Sequence, residues 1–294
     1  MQVEKLFTHI GAQVRGVDLA APLAADAFEP LRTALESHGV LVFRDQRLDK
    51  RQMVDFTRRF GPLEGHVLSQ WLSQDTPEVM VLSNFAYTKN GEPSDAEKSA
   101  RFWHSDLSFM PRPALATALY AVEAPADGGN TEFADMCAAF EALPAERQAE
   151  LRGLSAVHDL DYCQHHVDQP PLTDAQRDAA PPVVHGMVRR HRPSGRDALY
   201  ASPLHTSRVL GMEEAEGRAL LDELFAWATR REFIYSHRWQ AGDYIIWDNR
   251  RLLHRGTPYD TRQRRLLWRA TVSGETVGTP LNPVAGAAHA HAPA

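Results

Sequence analysis

Between Phe102 and Phe109 the chain reads Phe-Trp-His-Ser-Asp-Leu-Ser-Phe, so an imidazole, His104, and a carboxylate, Asp106, stand two residues apart among aromatic side chains. The bulky flanks read as a strand. On a strand residues i and i+2 face the same way, and the pair would offer one nitrogen and one oxygen to a common point. That arrangement suits a metal ion. One more histidine from a distant segment would complete a two-histidine, one-carboxylate facial set, which leaves positions open on iron for small molecules.

The chain holds 14 histidines and a second His-x-Asp, His166 to Asp168. That copy runs into Gln169-Pro170-Pro171, where proline opposes a central strand, so the first pair is the better candidate. For the third ligand, Trp247-Asp248-Asn249-Arg250-Arg251-Leu252-Leu253-His254 places His254 at the end of an apolar strand and its turn. Beyond it, "RRLLWRATV" alternates charge and bulk at period two, with Arg265, Leu267 and Arg269 on one face and Leu266, Trp268 and Ala270 on the other. A guanidinium fork matches a carboxylate, so Arg265 could clamp a dicarboxylate whose other end chelates the metal. The alternative is an edge strand with its arginine face in water.

These residues need a frame. "GAQVRGVDL" reads as a strand or hairpin, "VLVFRD" as a buried strand, and "AFEPLRTALESHG" as an amphipathic helix stopped by Gly39. Asp49 and Gln52 fit a capping pair for a helix carrying Met53, Phe56 and Phe60, ended by Gly61-Pro62. The window 213–233 reads as one helix with Ala219, Leu220, Leu224 and Trp227 as its stripe, and "DYIIWDN" as a buried strand. Residues 84–101 and 165–182 are polar, turn-rich stretches that could act as lids. Residues 284–294, with His289 and His291, form a simple Ala/His tail expected to be disordered. Cys137 and Cys163 belong to no C-x-x-C pair and read as small buried hydrophobes.

Composition sets the broad class. With 294 residues, 43% hydrophobic and 24% charged, the chain is of ordinary globular make-up, and we read residues 1–283 as one domain. A net charge of −6 provides no broad basic field, which argues against nucleic acid. No run approaches the ~18 apolar residues of a membrane span, so the expectation is a cytoplasmic protein without a membrane partner. A homo-oligomer is possible.

Taken together, "VRGVDL", "LVFRDQRL", "RRFGPLEGH", "WHSDLSF", "APADGGNTEFADM", "EFIYSHRW", "WDNRRLLHRG" and "RRLLWRAT" resemble the iron(II)/2-oxoglutarate-dependent dioxygenases of the taurine dioxygenase and dichlorophenoxyacetate dioxygenase family, nearer the second branch. The resemblance implies a mainly β fold with flanking helices (α+β), a double-stranded β-helix of the jelly-roll, cupin-like kind. It maps His104, Asp106 and His254 onto the Fe(II) ligands, and Thr131 and Arg265 onto the positions that hold the distal carboxylate of the co-substrate 2-oxoglutarate. Arg269 and His66 match positions that meet the anionic group of the substrate, and Asp248 and Asn249 shape the turn presenting His254. The implied reaction uses dioxygen to hydroxylate a small anionic molecule, an aryloxyalkanoate, alkanesulfonate or related carboxylate, releasing succinate and CO2. Two alternatives stand beside it: tailoring of an amino-acid-like metabolite, and a cupin-like metal-binding protein without oxygenase activity.

Overall fold

Which neighbour each strand residue faces decides the layering of this protein. The computed structural model describes residues 1–65, 69–85, 100–167 and 169–281. Its largest sheet has eight strands, in the spatial order Gln2–Lys5, Ala12–Arg15, Val40–Phe43, Tyr244–Asp248, Ala114–Glu123, Leu266–Ser273 and Leu63–Glu64, with Met80–Ser83 also paired to Leu266–Ser273. Pairing is antiparallel except between Ala12–Arg15 and Val40–Phe43.

Strand alternation gives this sheet two buried faces. Val40, Val42, Leu119, Ile245, Trp247 and Leu267 pack on the side of the candidate site. Leu41, Phe43, Ala118, Tyr244, Ile246 and Ala270 pack on the other side, against Phe28, Leu31 and Leu35 of the helix Ala25–His38 and Met53 and Phe56 of the helix Lys50–Thr57. The first helix stops at Gly39, whose φ of 70° lets its N–H return to the Leu35 carbonyl. The second starts with a capping box, Asp49 and Gln52 each bonding the other's backbone N–H.

A three-stranded sheet has Thr131–Asp135 at its centre, between Ile234–His237 and Leu252–Gly256. Phe133 and Leu252 turn toward the candidate site, while Ala134, Leu253 and Ile234 pack against the helix Glu214–Ala228. That helix is shorter than the 213–233 window predicts, because a separate 3-10 turn covers Arg231–Phe233. Its buried stripe is Gly217, Leu220, Leu221, Leu224, Phe225 and Ala228; Ala219 is exposed and Trp227 half-buried. Smaller sheets, Thr206–Val209 with Ser155–His158, Val183–Gly186 and Thr279–Pro280, and Val188–His191 with Arg196–Leu199, complete an α+β architecture of mixed sheets with helices.

The stretch 165–182 is not a plain loop: it takes in the end of the helix Leu160–His166 and a capped helix, Asp174–Ala179. Residues 86–99 and the tail 284–294 lie outside the described residues, and the lid and tail expectations there lie with them. Both cysteines are free and buried, and burial pushes each thiol up to about 12, so neither is a nucleophile at neutral pH. Among the described residues no helix is long and apolar enough to cross a membrane.

Candidate active site

The run around His104 is not a strand. His104 forms a single β-bridge with His254, N–H to carbonyl in both directions at 3.0 and 2.8 Å, and the chain then turns through Asp106–Phe109 with Leu107 at φ 53°. Its aromatic residues serve as separate anchors instead of pleated neighbours: Trp103 packs with the core over the three-stranded sheet, and Phe109 with the core facing the cavity. The turn is held from outside, since the Asp106 N–H donates to Asn249 Oδ1 (3.2 Å) and the Asp106 carbonyl accepts from Ala114 N–H (3.2 Å). His254 lies inside the strand Leu252–Gly256, where Phe133 opposes it. The bridge and the turn together bring His104, Asp106 and His254 into one buried group whose donor atoms lie within 4.8 Å of one another.

Their protonation favours lone pairs at the focus. His104 Nδ1 lies 2.7 Å from the Phe102 carbonyl, which can only accept, so Nδ1 carries the proton and Nε2 presents its lone pair. Nε2 of His104 stops 3.6 Å from Asp106 Oδ1, and Nε2 of His254 stops 3.7 Å from Oδ2, too far for hydrogen bonds. Burial lowers both imidazoles below their ordinary value, against the pull of Asp106, so the rings are neutral at pH 7. For Asp106, burial alone would raise the carboxyl. Arg269 at 2.6 Å, helped by the Thr117 hydroxyl, outweighs it and holds the group ionised, well below the carboxylate range. The carboxylate is aimed by a chain of bonds: Asn249 Nδ2 donates to Thr117 Oγ1 (2.9 Å), whose hydroxyl donates to Asp106 Oδ2 (2.6 Å). Two neutral imidazoles and one carboxylate, buried and unbonded to each other, fit a divalent metal of the Fe(II) type.

Arg265 and Thr131 line the same cavity. Arg265, 7% exposed, sits just ahead of the strand Leu266–Ser273, and its N–H donates to Asn84 Oδ1 at 3.0 Å. The Asn84 amide also holds the carbonyls of Thr261 and Gln263, at 2.9 and 2.8 Å, which pins the loop delivering the guanidinium. The Gly128-Gly129 pair lets the chain pass beside it: a Cβ on Gly128 (φ 74°) would lie 2.6 Å from the Pro258 carbonyl. Because Leu266–Ser273 pairs on both sides, Arg269 within it is not on a solvated edge, and Arg265 just ahead of it is buried. Arg269 also lines the cavity and rests on Asp106. Asp248 is buried against His191 and paired with the half-buried Arg250, one residue before the Asn249 that carries the bond to the Asp106 turn. His66 lies outside the described residues, as does Asp168 of the second His-x-Asp motif; His166 ends a helix beside Tyr162 and Phe102.

The remaining wall mixes the polar side chains Arg101, Gln164, Gln169 and His205 with the apolar Trp71, Leu82, Leu107, Phe109, Leu160 and Leu204. Of the apolar residues only Leu107 and Phe109 lie in a motif legible in the sequence. Asn84, which contacts the Arg265 loop, was equally hidden, and Trp239, which contacts Thr131, closes the quoted run "EFIYSHRW" yet drew no role from it, because a polar end of a strand and a lone aromatic carry no periodic signal.

A family profile described as "Taurine catabolism dioxygenase TauD, TfdA family" matches residues 2–271. The chain belongs to this dioxygenase family. Among its TauD/TfdA relatives, the alpha-ketoglutarate-dependent 2,4-dichlorophenoxyacetate dioxygenase of Cupriavidus pinatubonensis is 41% identical over 274 residues, 90% of this chain and 95% of that protein. The (S)-phenoxypropionate/alpha-ketoglutarate-dioxygenase of Sphingobium herbicidovorans is 34% identical, covering 90% and 92% respectively. A solved structure of AAD-2 in complex with Mn(II) and N-oxalylglycine superposes with a TM-score of 0.84 at 36% identity, covering 94% of this chain and 100% of that one.

Proposed function

We propose that the chain is an Fe(II)- and 2-oxoglutarate-dependent dioxygenase that hydroxylates a small aryloxyalkanoate-type anion, with His104, Asp106 and His254 as the residues that hold the metal. The observation that carries the reading is a buried two-nitrogen, one-carboxylate donor set lining the same cavity as Arg265 and Thr131, which we assign to an anion clamp. Relatives named for phenoxyalkanoates support the substrate class. When bound, the metal and 2-oxoglutarate supply the oxidising chemistry that puts one atom of dioxygen into a substrate C–H bond, the other going into succinate as CO2 leaves.

This chain's residues do the rest. Arg265 and the Thr131 hydroxyl hold the distal carboxylate of 2-oxoglutarate, so that its keto acid end lies toward the donor set. Asn249 and Thr117 keep the Asp106 carboxylate aimed. The apolar wall formed by Trp71, Leu160 and Leu204 takes an aryl ring and excludes water, and Arg269 attracts the substrate's own carboxylate. Hydroxylation of the carbon bearing the ether oxygen gives a hemiacetal that breaks into a phenol and a carbonyl compound. The eight- and three-stranded sheets contribute to one core, which supports reading them as the facing layers of a double-stranded β-helix, a jelly roll, in a single domain of residues 1–283.

The experiment is a panel of aryloxyalkanoates, alkanesulfonates and amino acids scored for oxygen uptake and succinate. An aryloxyalkanoate response above the other classes is expected; a response confined to amino acids would overturn the substrate class. Arg265→Ala should weaken 2-oxoglutarate binding by roughly 10- to 150-fold, the worth of a charge-assisted contact. An unchanged dissociation constant would remove Arg265 from the clamp.

A further inference from the structure

Thr131 is flanked on both sides by backbone pairing, with His237 in one neighbouring strand and Gly256 in the other, so its side chain is the only part of it left to adjust. It is 4% exposed, and its Oγ1 accepts a hydrogen bond from the indole N–H of Trp239 at 2.9 Å. An indole N–H only donates, and a threonine hydroxyl has a single proton. With one lone pair of Oγ1 taken by the indole, that proton has to be given to some other acceptor. Thr131 lines the cavity that also holds Arg265, where an incoming carboxylate supplies one.

Trp239 is itself fixed. It leaves the strand Ile234–His237 in a tight turn closed around Asp243, whose Oδ2 accepts from Gln240 N–H (2.8 Å), His237 Nε2 (3.0 Å) and Arg44. His237 in turn meets the edge of the Trp239 ring, centroids 4.9 Å apart, and the Tyr235 hydroxyl lies 3.2 Å from His237 Nδ1. Gly242, at φ 85°, closes the turn where a Cβ would lie 2.9 Å from the Gln46 carbonyl.

We infer that Trp239 is a positioning residue for 2-oxoglutarate: its indole N–H orients the Thr131 hydroxyl so that the proton points at the distal carboxylate. The inference rests on the assignment of Thr131 and Arg265 to that carboxylate. It makes affinity for the distal carboxylate depend on a side chain that does not touch it, and leaves the metal and keto-acid end indifferent to the same change.

The test is calorimetric titration of the Mn(II)-loaded protein with 2-oxoglutarate and with 2-oxobutyrate, which lacks the distal carboxylate. Trp239→Phe should weaken 2-oxoglutarate roughly 3- to 10-fold, the worth of about one neutral hydrogen bond, and leave 2-oxobutyrate and Mn(II) affinity unchanged. In the Thr131→Val background the same substitution should cost nothing further. Equal loss for both keto acids, or additive losses in the double variant, would overturn the inference while leaving the clamp intact. If Arg265→Ala and Thr131→Val both leave 2-oxoglutarate binding unchanged, the clamp assignment falls and takes the inference with it. A measurement on the unmutated tryptophan covers a Trp239→Phe protein that does not fold. The indole N–H resonance that is displaced in Thr131→Val should move when the Zn(II)-loaded protein binds 2-oxoglutarate and stay in place with 2-oxobutyrate; no movement with 2-oxoglutarate overturns the inference.

Discussion

Two buried clusters in this protein are built from the same three residue types and behave in opposite ways. His191, Asp248 and Arg250 close on each other: His191 Nε2 lies 3.0 Å from Asp248 Oδ2, and Arg250 Nη2 lies 2.6 Å from the same oxygen. The other ring nitrogen of His191 is taken by Ser194 Oγ at 2.6 Å, so the cluster satisfies itself. His104, Asp106 and Arg269 do not close. Arg269 reaches the carboxylate, yet both histidine Nε2 atoms stop short of it, at 3.6 and 3.7 Å, in a group that lines a cavity. A buried histidine–carboxylate–arginine set is therefore structural when its lone pairs are spent internally and available for a ligand when they are held apart.

Substitution should separate the two clusters most strongly. His104→Ala is expected to lower divalent-metal affinity by more than the roughly 100-fold that follows loss of a hydrogen-bond partner to a ligand, with turnover falling in step and little change in melting temperature. His191→Ala should do the reverse. Leaving Asp248 without its ring partner, though still paired with Arg250, should cost roughly 1.5–3 kcal/mol of stability while metal affinity in the folded fraction stays near that of the parent. Metal titration and thermal unfolding on both variants check the pair. Equal effects of the two substitutions on metal affinity would erase the distinction.

A third buried site sharpens the comparison through pH. Among the described residues no carboxylate pairs with His185; its Nε2 meets the Ser108 carbonyl at 2.9 Å, and burial pushes its pKa down from 6.5 to about 4. His158, whose ring centroid lies 5.0 Å away, is also held well below its ordinary value by burial. The folded state disfavours the proton that the unfolded chain accepts, so His185's contribution is complete above pH 6.5 and is lost as pH falls from 6.5 toward 4. For His185 alone the loss amounts to about 3 kcal/mol. His185→Gln keeps a donor for Ser108 and removes the titration, so denaturant midpoints measured between pH 7 and pH 4 should fall less steeply than in the parent. Identical slopes would show that His185 does not titrate on unfolding.

Periodic features were legible in the chain. The capping box at Asp49 and Gln52, the stop at Gly39 and the inward and outward alternation of Leu266–Ser273 all depend on spacings of two to four residues. Where contacts between distant segments decide, local pattern misled. The aromatic run around His104 became a bridge and a turn because Trp103 and Phe109 found different cores, and the 213–233 helix ended at Ala228, three residues before the 3-10 turn at Arg231–Phe233.

By itself the sequence determined which residue types are available and which belong on one face, since side-chain chemistry and the periods of helix and strand are local properties. Only the tertiary structure decided which of 14 histidines stand apart from a carboxylate at a shared focus and which are consumed beside one. That choice turns on differences of less than one ångström in the approach of segments far apart in the chain, and packing sets such differences, not spacing.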